Sequence, residues 1–228
     1  EEESGIRKYG RSKEHRPNPI VQMGLFMDGD GIPLAFSIFP GNESEQPTLI
    51  PLEKTLLSDF AMSKFIVCTD AGLSSYVNRK FNDRADRAYV VTQSLKTLKS
   101  HIKEWALSPY GFRLKGDERE YDITQIDENI HFNDIFYKER WINENGLEQR
   151  LVVTYRPKHR HYQSQIRSRQ VERAAKILQS GKRNCTHNPN SPDRFIEEMQ
   201  ITIDGQIAEK TVMSLDAEKI AEESRYDV

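Results

Sequence analysis

The chain has 228 residues, 30% of them charged and 36% hydrophobic, which is enough to bury one large core or two small ones. Its formal net charge of −2 excludes a globally basic nucleic-acid binder, so any contact with DNA has to come from a local patch. Cys68 and Cys185 show no framework spacing, and no run nears the ~18 apolar residues of a membrane span. A soluble protein of the reducing cytoplasm, with no membrane partner, is therefore expected.

Residues 5–18 are basic and aperiodic and end at Pro17 and Pro19, which makes them an arm rather than a regular element. The apolar runs 20–27 and 32–39 flank Asp28-Gly29-Asp30-Gly31, whose residues tolerate positive φ, and predict a β-hairpin with both faces covered. Leu49, Leu52, Leu56 and Phe60 recur at helical spacing, with Pro47 and Pro51 near the first turn. Residues 64–69 form a short buried strand that stops at Asp70-Ala71-Gly72. Ser74 or Ser75 then caps a helix to about Ala85, and 88–91 is a further strand. The order β-β-α-β-α-β is that of an α/β unit.

Beyond Gln93 the texture changes. A helix is predicted over 95–105, then strands over 121–125, 135–142 and 147–155 as an antiparallel meander with one wet face. A basic helix over 159–178 has Ile166, Val171, Ala174, Ile177 and Leu178 as its buried stripe. Residues 181–192 are a loop by composition. The segments 199–203 and 206–214 pair across Asp204-Gly205, and Asp216 caps a last helix. The second half is an α+β, largely antiparallel module with its boundary near residue 95.

Asp70 is the sharpest chemical feature. A carboxylate at the C-terminal end of an apolar strand lies where open α/β sheets place ligands, and Gly72 lets the backbone turn away. An Asp in this place equally caps the following turn. Asp28 and Asp30 sit in a hairpin turn, where Asp is chosen for backbone reasons.

Three elements taken together carry a resemblance: Ser12-Lys13 with Arg16-Pro17, the DGDGIPL hairpin followed by FPGN-x-S-E, and the strand ending in Asp70-x-Gly72. In order and spacing over residues 5–95 they resemble the catalytic core of bacterial insertion-sequence transposases of the DDE type, which have an RNase H-like fold. The resemblance implies a partial RNase H-like mixed sheet over 1–95 that lacks its first strand, and an insertion domain over 96–228. It makes Asp70 the second of three catalytic, metal-binding carboxylates, with the other two outside this chain. Glu1-Glu2-Glu3 opens without Met and the chain stops after a helix-like stretch, so an internal fragment inactive by itself is expected.

In the complete enzyme the resemblance implies Mg²⁺ or Mn²⁺ at a two-metal centre for phosphoryl transfer. A lone Asp binds Mg²⁺ weakly, so no tightly held ion is expected in the fragment. The implied partner is transposon-end DNA in the nucleoid, with no small-molecule substrate. A second reading is a non-catalytic DNA-binding or oligomerising remnant that inhibits the intact enzyme.

The missing first strand would lie between the hairpin's first strand and the strand ending at Asp70. Three remedies are expected: direct closure, filling by the arm, or a strand borrowed from a second copy, which would make a homo-oligomer. Between Tyr155 and Arg183 nine Lys or Arg face one acid, Glu172. Arg156, Lys158, Arg160, Arg167, Arg169 and Arg173, with Lys13 and Arg16 in the arm, are the predicted phosphate contacts. His159-x-His161 and Cys185-x-His187 resemble a zinc set, but the long helix between the pairs favours a structural role.

Overall fold

The computed structural model describes residues 3–10, 18–61, 64–84, 86–181, 191–201 and 210–227. The chain is mixed α/β and divides into two compact units, Glu1–Thr97 and Leu98–Val228.

The first unit opens with β1 (Val21–Met27) and β2 (Pro33–Pro40), paired antiparallel from Val21↔Pro40 to Phe26↔Ala35 with a register shift at Met27. The turn is built by Asp28, whose Oδ1 accepts from the backbone N–H of Asp30 at 3.0 Å and of Ile32 at 2.8 Å. Directly paired residues share a face. Gln22, Gly24, Phe26 and Phe39 point to one side, where the buried leucines of α1 (Leu49–Asp59) cover them. A Cβ at Gly24 would lie 3.8 Å from Leu52 Cδ2, so glycine lets the helix settle close to the strand.

The opposite face is open: Val21, Met23, Leu25, Met27, Phe36 and Ile38 are all exposed. The expectation of a hairpin covered on both faces is therefore wrong. The apolar runs are there, but the described residues supply a cover for one side alone.

β3 (Phe65–Thr69) and β4 (Arg87–Val91) are parallel, in register Phe65↔Arg87 to Thr69↔Val91, and are joined through a 3-10 turn and α2 (Tyr76–Asn82). Val67 is buried beneath the helices, whereas Ile66 and Val90 are exposed on the other face. Leu49 of α1 lines one small cavity with Val67, Tyr89 and Val91, so α1 covers both pairs of strands. The pairs remain two separate sheets, with no ladder between β1 and β3. Direct closure of the gap is thus not what occurs. The described part of the arm meets the hairpin through one isolated bridge, Lys8↔Ile20, just before β1.

In the second unit α3 (Ser100–Leu107) precedes a three-stranded antiparallel sheet of order β5-β6-β7, with β5 Arg113–Leu114, β6 Phe136–Glu144 and β7 Leu147–Tyr155. The β6–β7 turn is Asn145-Gly146, with φ of 53° and 84°, the geometry such two-residue hairpins require. The strand expected over 121–125 is absent. Tyr121 makes one bridge to Phe112, and then Asp122 and Asp127 accept from the backbone N–H groups of Thr124 and Asn129, folding the segment into turns. The predicted helix over 95–105 is a 3-10 turn followed by α3.

Phe112 and Phe136, fully buried, and Tyr155 form the core of this sheet, Phe112 edge-to-face with Tyr155 and Phe136 tilted against the same ring. A second core joins Ala174, Val171, Ile177 and Leu178 of α4 (Pro157–Ser180) to Phe195, Ile196 and Leu215. The last two are in β8 (Ile196–Ile201) and β9 (Lys210–Leu215), an antiparallel pair whose turn lies outside the described residues. Asp216 caps α5 (Ala217–Ser224) through the N–H of Lys219, as the sequence predicts. Among the described residues no helix is long and apolar enough to cross a membrane.

Candidate functional site

β3 ends at the half-buried Thr69, and Asp70 is the first residue past it, exposed and in extended backbone at φ −78°, ψ 179°. Its Oδ1 accepts from Gly72 N–H at 2.9 Å, which caps the turn and leaves the second carboxylate oxygen without a hydrogen bond among the described residues. Capping and ligand binding are thus compatible here, because they use different oxygens.

A second carboxylate stands beside it. A Cβ at Gly72 would fall 3.1 Å from Asp70 Oδ1 and 3.7 Å from Glu45 Oε2, so the two acids flank the same point in space. Glu45 precedes the 3-10 turn Gln46–Thr48 that leads into α1. Asn78 of α2, buried at 3% exposure, donates through Nδ2 to Gln46 O and to Leu73 O, both at 3.0 Å. One amide therefore ties the Glu45 loop to the Asp70 loop. Sequence reasoning missed Glu45 and Asn78. The FPGN-x-S-E motif places an acid near the start of α1, but the proximity across 25 positions comes from α1 crossing both sheets.

The oxygen placed near Glu45 is the capping Oδ1, so a hard divalent cation that keeps most of its waters would take the free Asp70 oxygen first, with Glu45 within reach only after its side chain turns. No group of three His, Cys, Asp or Glu able to hold a metal exists among the described residues. Asp28 is spent on its own turn. His159 and His161 meet Gln163 and Gln165 one turn along α4, and Cys185 and His187 lie outside the described residues.

The basic helix divides into two faces. Lys158, Arg169, Arg173 and Lys176 line an exposed stripe with Tyr162 between them, and none forms an ion pair among the described residues. Arg156, exposed, sits at the helix N-terminus. Arg160 pairs with Glu128, which also accepts from the Tyr155 hydroxyl at 3.0 Å. Arg167 points inward: its guanidinium grips both oxygens of Asp227 at 2.6 and 2.5 Å, with the side chains 15% and 10% exposed. As a phosphate contact Arg167 is therefore a correction, since reaching DNA would strand a buried carboxylate. Lys13 and Arg16 lie outside the described residues.

The acidic segment that could have neutralised the helix is occupied elsewhere. Arg119 holds Asp117 well below the usual carboxylate range, and Glu120 pairs with Arg113. No family model, no curated protein and no solved structure matches this chain.

Proposed function

We propose that the chain is the middle portion of a metal-dependent DNA transposase of the DDE type, with Asp70 a ligand to its catalytic cation. The reading is supported above all by the exposed Asp70 at the end of β3, with the Glu45 carboxylate across Gly72. Two further features fit it. An antiparallel hairpin and a parallel pair lie under one helix without joining, as an RNase H-like sheet would without its first, central strand. The open apolar faces of both pairs are what remains when the elements that complete such a sheet are supplied from elsewhere.

In this reading Asp70, with Glu45, would hold Mg²⁺ or Mn²⁺, which supplies Lewis-acid assistance to phosphoryl transfer when bound. Two carboxylates suffice for one loosely held ion, not for a two-metal centre. Strand cleavage by this chain alone is therefore not expected. Sequencing the source DNA on both sides of the coding segment tests the proposal. Support would be an in-frame strand ending in Asp upstream and a Glu-bearing helix downstream. Unrelated sequence or stop codons on both sides would refute a working catalytic role.

The exposed basic stripe of α4 favours a second reading, DNA binding without catalysis. Salt-dependent binding with no Mn²⁺-supported nicking, on a chain flanked by stop codons, would select it.

A further inference from the structure

Glu53 is the most deeply buried ionisable side chain among the described residues of the first unit, at 0% exposure on the inner face of α1. Its two oxygens share a single donor, Asn82 Nδ2, at 3.0 and 2.9 Å, and that nitrogen also serves Asn78 O at 3.3 Å. Two amide hydrogens thus face three acceptors. On the same side chain Asn82 Oδ1 is buried with no donor at all. An ionised Glu53 leaves this arithmetic unsolved: it has lone pairs in excess and nothing to give Asn82 Oδ1. A neutral acid solves it. The acid O–H donates to Asn82 Oδ1 and Asn82 Nδ2 donates to the other acid oxygen, closing an acid–amide ring once the amide turns from facing both oxygens with Nδ2 to presenting one atom to each.

The charges around Glu53 bear on the choice. Arg87 of β4 is the cation whose field reaches it, and Arg84 acts in turn on Arg87. Arg87 nevertheless makes no ion pair with Glu53: it donates to Phe81 O and lies 4.3 Å over the Phe81 ring. β1 and β2 carry no ionisable side chain, and α2 presents the uncharged Asn78 and Asn82.

We propose that Glu53 is a neutral carboxylic acid ring-bonded to Asn82, forming a proton-dependent latch between α1 and α2. Losing the proton breaks the ring and leaves an unpaired buried anion, which loosens the two helices. Their leading loops carry Glu45 and Asp70 and are joined by Asn78, so the latch also governs the spacing of those carboxylates. Only that last consequence rests on the function proposed above.

Burial raises the Glu53 pKa against the lowering effects of Asn82 and Arg87. With the folded value above the unfolded one, the latch is complete at pH below the unfolded Glu value of about 4.3. It is lost as pH rises through the folded value. Two measurements on the intact chain test this. In ¹³C-Glu-labelled protein the Glu53 carboxyl carbon should titrate at higher pH than the exposed glutamates. Titration together with them, or below them, would overturn the proposal in favour of an anion held by Arg87. Glu53→Gln mimics the neutral acid, because its amide can form the same ring with Asn82. Its urea midpoint should therefore gain on that of the native chain between pH 5 and pH 8. An equal loss at both pH values would also overturn the proposal. If the variant does not fold, the carbon titration decides alone.

Discussion

Replacing Arg167 by Ala decides whether this arginine serves DNA or the fold. Both partners of its pair with Asp227 are nearly out of water, and two parallel N–H···O bonds join them. Removing one member of such a buried pair leaves the other charge without compensation, which costs about 3–5 kcal/mol. The stability of a whole domain is about 5–15 kcal/mol, so Arg167→Ala should bring the second unit to the edge of unfolding. Asp227→Ala should cost about as much. Arg167→Met combined with Asp227→Leu removes both charges and should recover most of the loss, since apolar replacement of buried pairs is often neutral. Urea denaturation of the two single variants and of Arg167→Ala with Asp227→Ala gives the coupling directly, and the Met/Leu variant reads the apolar replacement. Single losses under about 1 kcal/mol, or a fall in DNA affinity with stability unchanged, would refute the buried-pair argument and return Arg167 to the DNA-facing set.

Three other outcomes follow from the same kind of reasoning. Lys138 is buried at 4% exposure, donates to Trp105 O and Ser108 O, and is pushed down to about 8 by desolvation. The unfolded chain then binds the extra proton between pH 8 and about 10.4, so stability should rise over that window by up to about 3 kcal/mol. Lys138→Met should abolish that rise, and a slope identical in the two proteins would contradict it. Replacing Lys158, Arg169 and Arg173 together by Gln should flatten the salt dependence of DNA binding by about 2.7 in log–log slope, at about 0.9 per phosphate; an unchanged slope would move the DNA interface off α4. Gly41→Ala would place a Cβ 2.3 Å from Ile20 O and 2.8 Å from Lys8 O, both backbone atoms. A loss of about 1–3 kcal/mol is expected by thermal or urea denaturation, and a neutral result would mean that the backbone at Ile20 and Lys8 does not press on Gly41 this closely.

What the sequence made legible was mostly local. The turn at Asp28–Gly31, the leucine spacing of α1, the strand stopping at Asp70, a cap at Ser74 or Ser75 (the structure uses Ser75) and the cap at Asp216 are each written in a few adjacent residues. The errors have a common cause in competition or in distance. Residues 121–125 alternate well enough for a strand, yet neighbouring Asp side chains capture the backbone N–H groups first. Arg167 and Arg169 are indistinguishable by type, and only the return of Asp227 past α4 buries one of them. At the site, Asp70 was readable because strand ends are local. Its relation to Glu45 was not, because it depends on α1 spanning two sheets and on the Asn78 amide.

The open face of the hairpin separates what this chain holds from what an apolar pattern asks for. Met23 and Phe36 are each 64% exposed and lie on the same face, through the pairs Met23↔Ile38 and Leu25↔Phe36. If the face stands open in solution, Met23→Lys with Phe36→Lys removes little burial, and the cost should stay within about 0.5 kcal/mol per site. The double variant should also associate less with itself, since a contiguous exposed apolar patch is a liability in water. Urea denaturation with light scattering over a concentration series reads both effects. A cost above about 2 kcal/mol that vanishes on dilution would show that a second copy already covers the face. The same cost at every concentration would mean that the chain covers it itself, and the uncompleted sheet that supports the transposase reading would lose its main physical ground.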